Sequence, residues 1–465
     1  MRWSESADAV VTLLLDDPAQ RVNTMSVTFA EALIEAIERL EREQDRIAGV
    51  IIRSGKKSFL AGGDLNRLLA ATPAGLGEFV TDLNRRKSYY RRLERLGKPV
   101  VALIDGPALG GGLEFALCCH HRIGVDNGRT TVGLPEVGLG LLPGAGGVVR
   151  TVRRLGLERA LDEVLLPGRP IPLADAIRLG LVDASAPSAE AAEALARSWI
   201  AAPPAPLPRT PESAPAAAGP RPLPADRANR ARELLTQVAW QSLELGIDEA
   251  LAAESAAFAS LVVDPGAKNC VRTHFFATTA LRRQVAAPAG GTPVADVATW
   301  DRDDYVGDGQ RVVECEMASG DETERGVAAL AKAGAVVVRL RQGAGSFGDV
   351  VQEAIAAALA EQVAAGQPAD RIAHAAYWAG LSRTRPATIS AGAPDADLVR
   401  AVLDRVAETA AEAAPRILHD PDDVDIASVR AGGFPGWTGG VRHWLREGKA
   451  LLPELIEQRT SERTG

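Results

Sequence analysis

The sequence predicts an α/β protein, with a layered strand-and-helix core in its first half and a smaller α/β-to-α-helical domain in its second. Three observations predict this. Short apolar runs bounded by turn residues alternate with segments of helical periodicity from residue 9 onward. Residues 201–225, AAPPAPLPRTPESAPAAAGPRPLPA, have the proline- and alanine-rich composition of an extended, semi-rigid linker. Beyond it the chain is helical, and strand–helix alternation returns at Arg311.

Residues 9–16, AVVTLLLD, read as a strand that Asp17-Pro18 ends. From Ser26 to Glu43 the period becomes helical, with Phe29, Leu33, Ile37 and Leu40 on one face. Residues 49–53, GVIIR, form a short buried strand. Leu65 to Ala71 begins a helix, and Phe79 to Leu96 continues as a longer basic one. Residues 98–105, KPVVALID, are another buried strand. After the linker, Asp226 to Arg283 is helical, and Ala286 to Thr292, APAGGTP, marks a second break. Arg311–Glu316 and Ala335–Leu340 read as strands around a helix at Glu322–Ala333, and the remainder is mainly helical.

The chain has 465 residues, a soft prior of about three domains. With 52 basic and 60 acidic residues its net charge is −8, which leaves no electrostatic footprint for nucleic acid. Four cysteines are too few for a disulfide scaffold and fit reduced thiols. The start lacks the charged and apolar regions of a signal peptide, and no apolar run is long enough to span a bilayer. The expectation is a cytoplasmic protein that engages neither membrane nor nucleic acid.

Three segments carry chemistry: Ser58–Leu65, SFLAGGDL; Asp105–Glu114, DGPALGGGLE; and Gly133–Gly147, GLPEVGLGLLPGAGG. Gly110, Gly111 and Gly112 lie between a buried strand and a helix, where free N–H groups point outward and favour negative charge. Attack on the α,β double bond of a thioester passes through an enolate, and two N–H groups aimed at its oxygen form an oxyanion hole, with Gly111 as one donor and Gly63 as the other. Read singly, each segment is equally an ordinary strand-to-helix turn. Glu114 opens an apolar helix, and Glu136 sits in a glycine-rich apolar stretch. Hydration needs one proton removed from water and one delivered to Cα, tasks that two carboxylates flanking one water can share. Alone, Glu114 is also a first-turn acid complementing a helix dipole, and Glu136 a solvated loop acid. Asp64 reads as a helix N-cap.

At these residues the chain resembles the crotonase (enoyl-CoA hydratase/isomerase) family: VNTMS at Val22–Ser26, then SFLAGGDL, DGPALGGGLE and GLPEVGLGLLPGAGG follow in family order. The resemblance implies a ββα spiral core for residues 1–200. It implies Gly63 and Gly111 as oxyanion donors, and Glu114 and Glu136 as the two catalytic glutamates of true hydratases. Arg21, Val22, Phe59, Ala61, Leu134 and Pro135 would contact the CoA thioester. Residues 226–285 resemble the helical connector of multifunctional β-oxidation proteins, completing the crotonase part after the 201–225 linker. Residues 295–465 resemble a 3-hydroxyacyl-CoA dehydrogenase, with departures. Only about 25 residues separate Arg283 from Arg311, too few for the family's opening nucleotide-binding strand and turn. Asp304–Gln310, DYVGDGQ, stands where the family has its catalytic histidine, and Gly343–Asp349, GAGSFGD, replaces a PGFxxNR turn.

GAGSFG matches GxGxxG after a strand, but no acidic residue follows at the end of a second strand as a dinucleotide site requires. NAD is therefore not expected, dehydrogenase activity is not expected, and no other cofactor or metal is implied. Cys118, Cys119, His120 and His121 are consecutive, so on a helix they diverge by about 100° each and cannot share one ion. The basic run Asn84–Arg95, NRRKSYYRRLER, reads as a solvated face that also has the option of meeting CoA phosphates. Trp437 reads as core. The expected function is hydration of a 2-enoyl-CoA to a 3-hydroxyacyl-CoA in fatty-acid-type degradation. The alternatives are enoyl-CoA isomerisation with Glu136 as sole base, or a non-catalytic acyl-CoA-binding or assembly subunit. A homo-oligomer remains an open expectation.

Overall fold

The computed structural model describes residues 1–212, 230–280, 299–302, 311–317, 321–382 and 394–461. They form two compact units. The first comprises Met1–Val137, Leu141–Leu223 and Leu234–Val263, and the second is mainly Asp264–Gly465. The expected connector at 226–285 is thus shared between the units rather than belonging wholly to the first. Asp304–Gln310 and Ala286–Thr292 lie outside the described residues.

The first unit is built on two sheets. The larger has six strands in the order β1 (Arg2–Glu5), β2 (Val10–Leu15), β3 (Gly49–Ser54), β4 (Val100–Ile104), β6 (His121–Val125) and β9 (Ala184–Ala186). Only β1 runs antiparallel to its neighbour. The smaller sheet has β5 (Ala108–Leu109), β7 (Thr131–Gly133) and β8 (Ile171–Pro172). Each turn of chain contributes to both sheets and then enters a helix. β2 leads to Met25, which bridges Gly63, and then to α1 (Val27–Glu43). β3 leads to Leu60, which bridges Ala108, and then to α2 (Leu65–Ala70) and α3 (Leu76–Glu94). β4 leads to β5 and α4 (Gly111–Leu117), and β6 leads to β7 and, past a short 3₁₀ turn, to α5 (Gly147–Leu155). This is the expected ββα spiral. β3 and β4 are buried on both faces and so read as continuous apolar runs. β1 was not predicted because RWSE carries no apolar alternation; it is a mostly exposed edge strand.

Local chemistry fixes these elements. Ser26 caps α1 by accepting from the Phe29 N–H, and Leu33, Ala36, Ile37 and Leu40 form its buried face. Asp64 caps α2, accepting from the Asn66 and Arg67 N–H groups. Asn23, 2% exposed, ties three loops together: its Nδ2 donates to the Leu15 and Phe59 carbonyls and to Ser54 Oγ. Its Oδ1 accepts from the Asp17 N–H.

The second unit has a three-stranded sheet in the order β10 (Thr299–Arg302), β11 (Val312–Met317) and β12 (Val336–Arg341). β11 and β12 run parallel, with the helix Asp321–Lys332 between them in sequence, and β10 is antiparallel to β11. Helices Phe347–Ala364 and Ala396–Ile417 supply much of its core. Trp437 is core, as expected: it packs edge-on between Trp378 and Trp444, and its indole N–H donates to the Ala379 carbonyl.

Two glycines beside each other have opposite tolerance. A Cβ on Gly112 would lie 2.1 Å from the Leu60 carbonyl oxygen, a backbone atom that cannot swing aside. A Cβ on Gly63 would meet nothing within 4 Å. Gly112→Ala should therefore lower unfolding free energy by about 1–3 kcal/mol or more, while Gly63→Ala should stay within about 0.5–1 kcal/mol of wild type. Urea denaturation followed by circular dichroism checks both.

Candidate active site

The site is assembled where the small sheet meets the starts of α4 and α5. Gly110 enters α4 with φ 55° and ψ −127°, a conformation that favours glycine, and its N–H donates to the Gly133 carbonyl. That turn leaves the Gly111 N–H at the open end of α4. The Gly62–Gly63 turn abuts it: a Cβ on Gly62 would lie 3.9 Å from the Gly111 nitrogen. Neither the Gly63 nor the Gly111 N–H donates to an acceptor among the described residues. The Met25 side chain lies over Gly111, where a Cβ would fall 2.1 Å from its sulfur.

Both predicted carboxylates come to this place. Glu114, in the first turn of α4, is 2% exposed, and its Oε1 accepts from the Ala145 and Gly147 N–H groups at 2.7 Å each. Its approach needs glycine at 147, where a Cβ would sit 2.9 Å from Glu114 Oε1. Glu136 follows β7 on the 3₁₀ turn Pro135–Leu139. Its Oε1 lies 2.5 Å from where a Cβ on Gly110 would be, so it rests against the turn that opens α4. Its Oε2 is buried and meets no hydrogen-bond partner among the described residues.

Burial raises both acids. Glu114 is pushed up to about 7, chiefly by desolvation and then by the Glu254 charge, against the pull of the Ala145 and Gly147 N–H groups and of Lys87. Glu136 is also pushed well above the usual carboxylate range, by desolvation and then by the charges of Glu114 and Glu254. The two acids face each other closely enough to titrate as a pair.

The remaining expected contacts divide. Arg21, Val22 and Ala61 are exposed, and Pro135 is half-buried. Leu134 is buried between β7 and the turn that carries Glu136. Phe59 was expected to act through its backbone. It is fully buried, its ring stacks on Phe115, its N–H donates to the Pro107 carbonyl and its own carbonyl accepts from Asn23. It supports the loop from beneath.

Two residues were missed. Glu254, fully buried on the helix Ile247–Val262, accepts from the Gly146, Val148 and Val149 N–H groups and from Lys87 Nζ at 2.8 Å. Lys87 also donates to the Leu251 carbonyl. The basic run Asn84–Arg95 is thus not simply a solvated face: Lys87 is 3% and Arg91 4% exposed. Arg91 pairs with Glu94, Glu212 and Asp248, and Glu94 with Arg150. Lys87, Arg91 and Asp248 border a cleft of about 760 Å³ between α3 and the helix Ile247–Val262. The available signal was the spacing Lys87, Tyr90, Arg91, Glu94, which puts three charges on the face that also carries a buried tyrosine. Cys118, Cys119 and His120 end α4 in the core, and His120 accepts at Nδ1 from the Val100 N–H while its Nε2 meets the Glu94 carbonyl.

A family model described as enoyl-CoA hydratase/isomerase matches residues 5–251. The fatty acid oxidation complex subunit alpha of Aliivibrio fischeri is 39% identical over 186 residues, covering 40% of this chain and 27% of that protein. Its namesake in Shewanella putrefaciens is 33% identical over 302 residues, covering 62% of this chain and 42% of that protein. The chain spans less than half the length of these relatives. Among solved structures, an enoyl-CoA hydratase from Bacillus halodurans superposes with TM-score 0.45 at 22% identity, covering 58% of this chain and 98% of that one. One from Bacillus anthracis gives 0.39 at 25% identity, covering 55% and 88%.

The raised acid has a thermodynamic consequence. A carboxyl at about 7 in the folded chain against 4.5 unfolded means that the folded state binds the proton more tightly. Its contribution to stability is full below the unfolded value and is lost as pH rises through the folded one. Glu114→Gln should therefore gain stability relative to wild type as pH goes from 5 to 8, about 1 kcal/mol or more, read from urea midpoints at each pH.

Proposed function

The chain belongs to the enoyl-CoA hydratase/isomerase family, and from that membership we propose that it hydrates a 2-enoyl-CoA thioester to the 3-hydroxyacyl-CoA in acyl-CoA degradation. The observation that carries this reading is the pair of carboxylates, buried Glu114 and half-buried Glu136, set against the Gly110–Gly111 turn. In the proposed reaction the thioester carbonyl accepts from the Gly63 and Gly111 N–H groups. Glu114, held lower by two N–H groups and Lys87, removes a proton from water as the oxygen attacks Cβ. The electron pair of the double bond moves to the thioester as an enolate, which the two N–H groups stabilise. Glu136, raised by burial and by the Glu114 charge, then delivers a proton to Cα. Arg21, Val22, Ala61, Leu134 and Pro135 are proposed to border the CoA thioester, with Phe59 supporting their loop.

Hydration of crotonyl-CoA, followed by loss of the enoyl-thioester absorbance, tests this. Glu114→Gln and Glu136→Gln should each lower kcat by about 10²–10⁴ with folding intact. Wild-type rates in either variant would sink the two-carboxylate mechanism. Shift of a 3-enoyl-CoA double bond that survives in Glu114→Gln would instead point to isomerisation with Glu136 as sole base.

The second unit is proposed to carry no NAD-linked dehydrogenase step. Support comes from the GAGSFG turn, where a dinucleotide pyrophosphate would sit on the N-terminus of the helix Phe347–Ala364. The fully buried Glu314 already fills that place, taking the Ser346 Oγ donor at 2.6 Å and the Gly348 N–H at 2.8 Å. Protein mixed with NAD and a 3-hydroxyacyl-CoA should give no NADH absorbance; its appearance would restore the bifunctional reading. Among the described residues no helix is long and apolar enough to cross a membrane. Four free thiols support the proposal of a reducing, cytoplasmic setting.

A further inference from the structure

Five consecutive N–H groups at the start of α5 are divided between two carboxylates. Ala145 and Gly147 donate to Glu114 Oε1, and Gly146, Val148 and Val149 donate to Glu254. Alternate amides of one short run thus hold acids arriving from different helices, α4 and Ile247–Val262. Lys87 closes the arrangement from α3, bonded to Glu254 Oε1 and to the Leu251 carbonyl. Glu254 is fully buried and lies beyond residue 251, where the family match ends.

We propose that Glu254, held by Lys87, is a positioning residue for Glu114: it fixes the amide run that orients the Glu114 carboxylate and, with Lys87, sets the charge that this carboxylate faces. The proposal rests on the hydratase reading. Its physical basis is that an amide run offered one carboxylate alone would leave three buried N–H groups at the α5 N-terminus without acceptors. With Glu254 in place the run is rigid, and Oε1 of Glu114 is committed to two donors.

The groups facing Glu114 are Glu254 on the helix Ile247–Val262, Lys87 and Tyr90 on α3, Cys118 at the end of α4 and Glu136 on the 3₁₀ turn. Arg150 of α5 is the nearby cation beyond Lys87, and it is bound to Glu94. Burial drives Tyr90 and Cys118 to stay neutral across the working range. The Glu254 charge raises Glu114, and Lys87 lowers it. The two partners should therefore move Glu114 in opposite directions.

The test uses the full chain and the variants Glu254→Gln, Lys87→Met and the double Glu254→Gln/Lys87→Met. The double removes both buried charges together and keeps the comparison alive where a single variant, with one charge stranded, does not fold. The pH profile of kcat for crotonyl-CoA hydration falls on its acid side as the base protonates. That midpoint should move down by about one pH unit in Glu254→Gln and up by about one unit in Lys87→Met, with the double between them. In parallel, hydrogen exchange of the Ala145–Val149 amides should quicken about tenfold in Glu254→Gln and in the double, the equivalent of about one lost hydrogen bond. Folded variants whose midpoints stay at the wild-type pH, or shift the same way, overturn the proposal. If wild type does not hydrate crotonyl-CoA the functional reading fails separately, and the exchange rates decide: faster exchange upholds the positioning role and unchanged exchange refutes it.

Discussion

The amide run from Ala145 to Val149 is the constraint on which the site depends. A helix N-terminus concentrates about half a positive charge and several donors without partners. Here the donors meet two buried acids, Glu114 and Glu254. Each carboxylate taken from water costs several kcal/mol of hydration, and the five N–H groups with the Lys87 ammonium offset that cost without neutralising it. The residual imbalance is useful. It leaves Glu114 near 7, able to ionise at neutral pH, while burial and the Glu114 charge push Glu136 well up too.

The spiral explains why such a run can exist. Each turn places one strand in the large sheet, one strand or bridge in the small sheet, and one helix start near the small sheet's edge. Helix starts therefore accumulate on one side of the unit. α4 and α5 begin a few ångströms apart, as the closeness of Gly147 to Glu114 requires. Glycines at 110, 112 and 147 permit this because a side chain at any of them would strike, respectively, the Glu136 carboxylate, the Leu60 backbone or Glu114. The triple glycine is thus a packing requirement as much as a means of exposing an N–H.

Much of this was legible. The strand at 10–15 and the helix at 27–43 were evident because their apolar patterns follow the two-fold and 3.6-fold periods that burial demands, and the strands at 49–54 and 100–104 because they are short continuous apolar runs. Glu114 and Glu136 were singled out by acids placed in apolar, glycine-rich surroundings. Glu254 was not, since it sits 140 residues from Glu114 in an alanine-rich helix whose own sequence names no partner. Lys87 was hidden for another reason: within a run of seven basic or aromatic neighbours, its burial depends on which helix covers α3, and only tertiary contact with Ile247–Val262 decides that.

The same physics recurs in the second unit with the opposite consequence. At the α5 N-terminus the amide run holds two acids, and the N–H groups of Gly63 and Gly111 donate to no acceptor among the described residues. At the N-terminus of Phe347–Ala364, Glu314 reaches from β11 and takes the Ser346 hydroxyl and the Gly348 N–H, while Gly345 donates to Glu316. A helix start can attract an anionic ligand only while its donors are open, and here the protein's own carboxylates occupy them. A glycine-rich turn after a strand is therefore ambiguous as a sequence: the residue that decides whether it binds phosphate lies on the neighbouring strand, about 30 positions away in this chain.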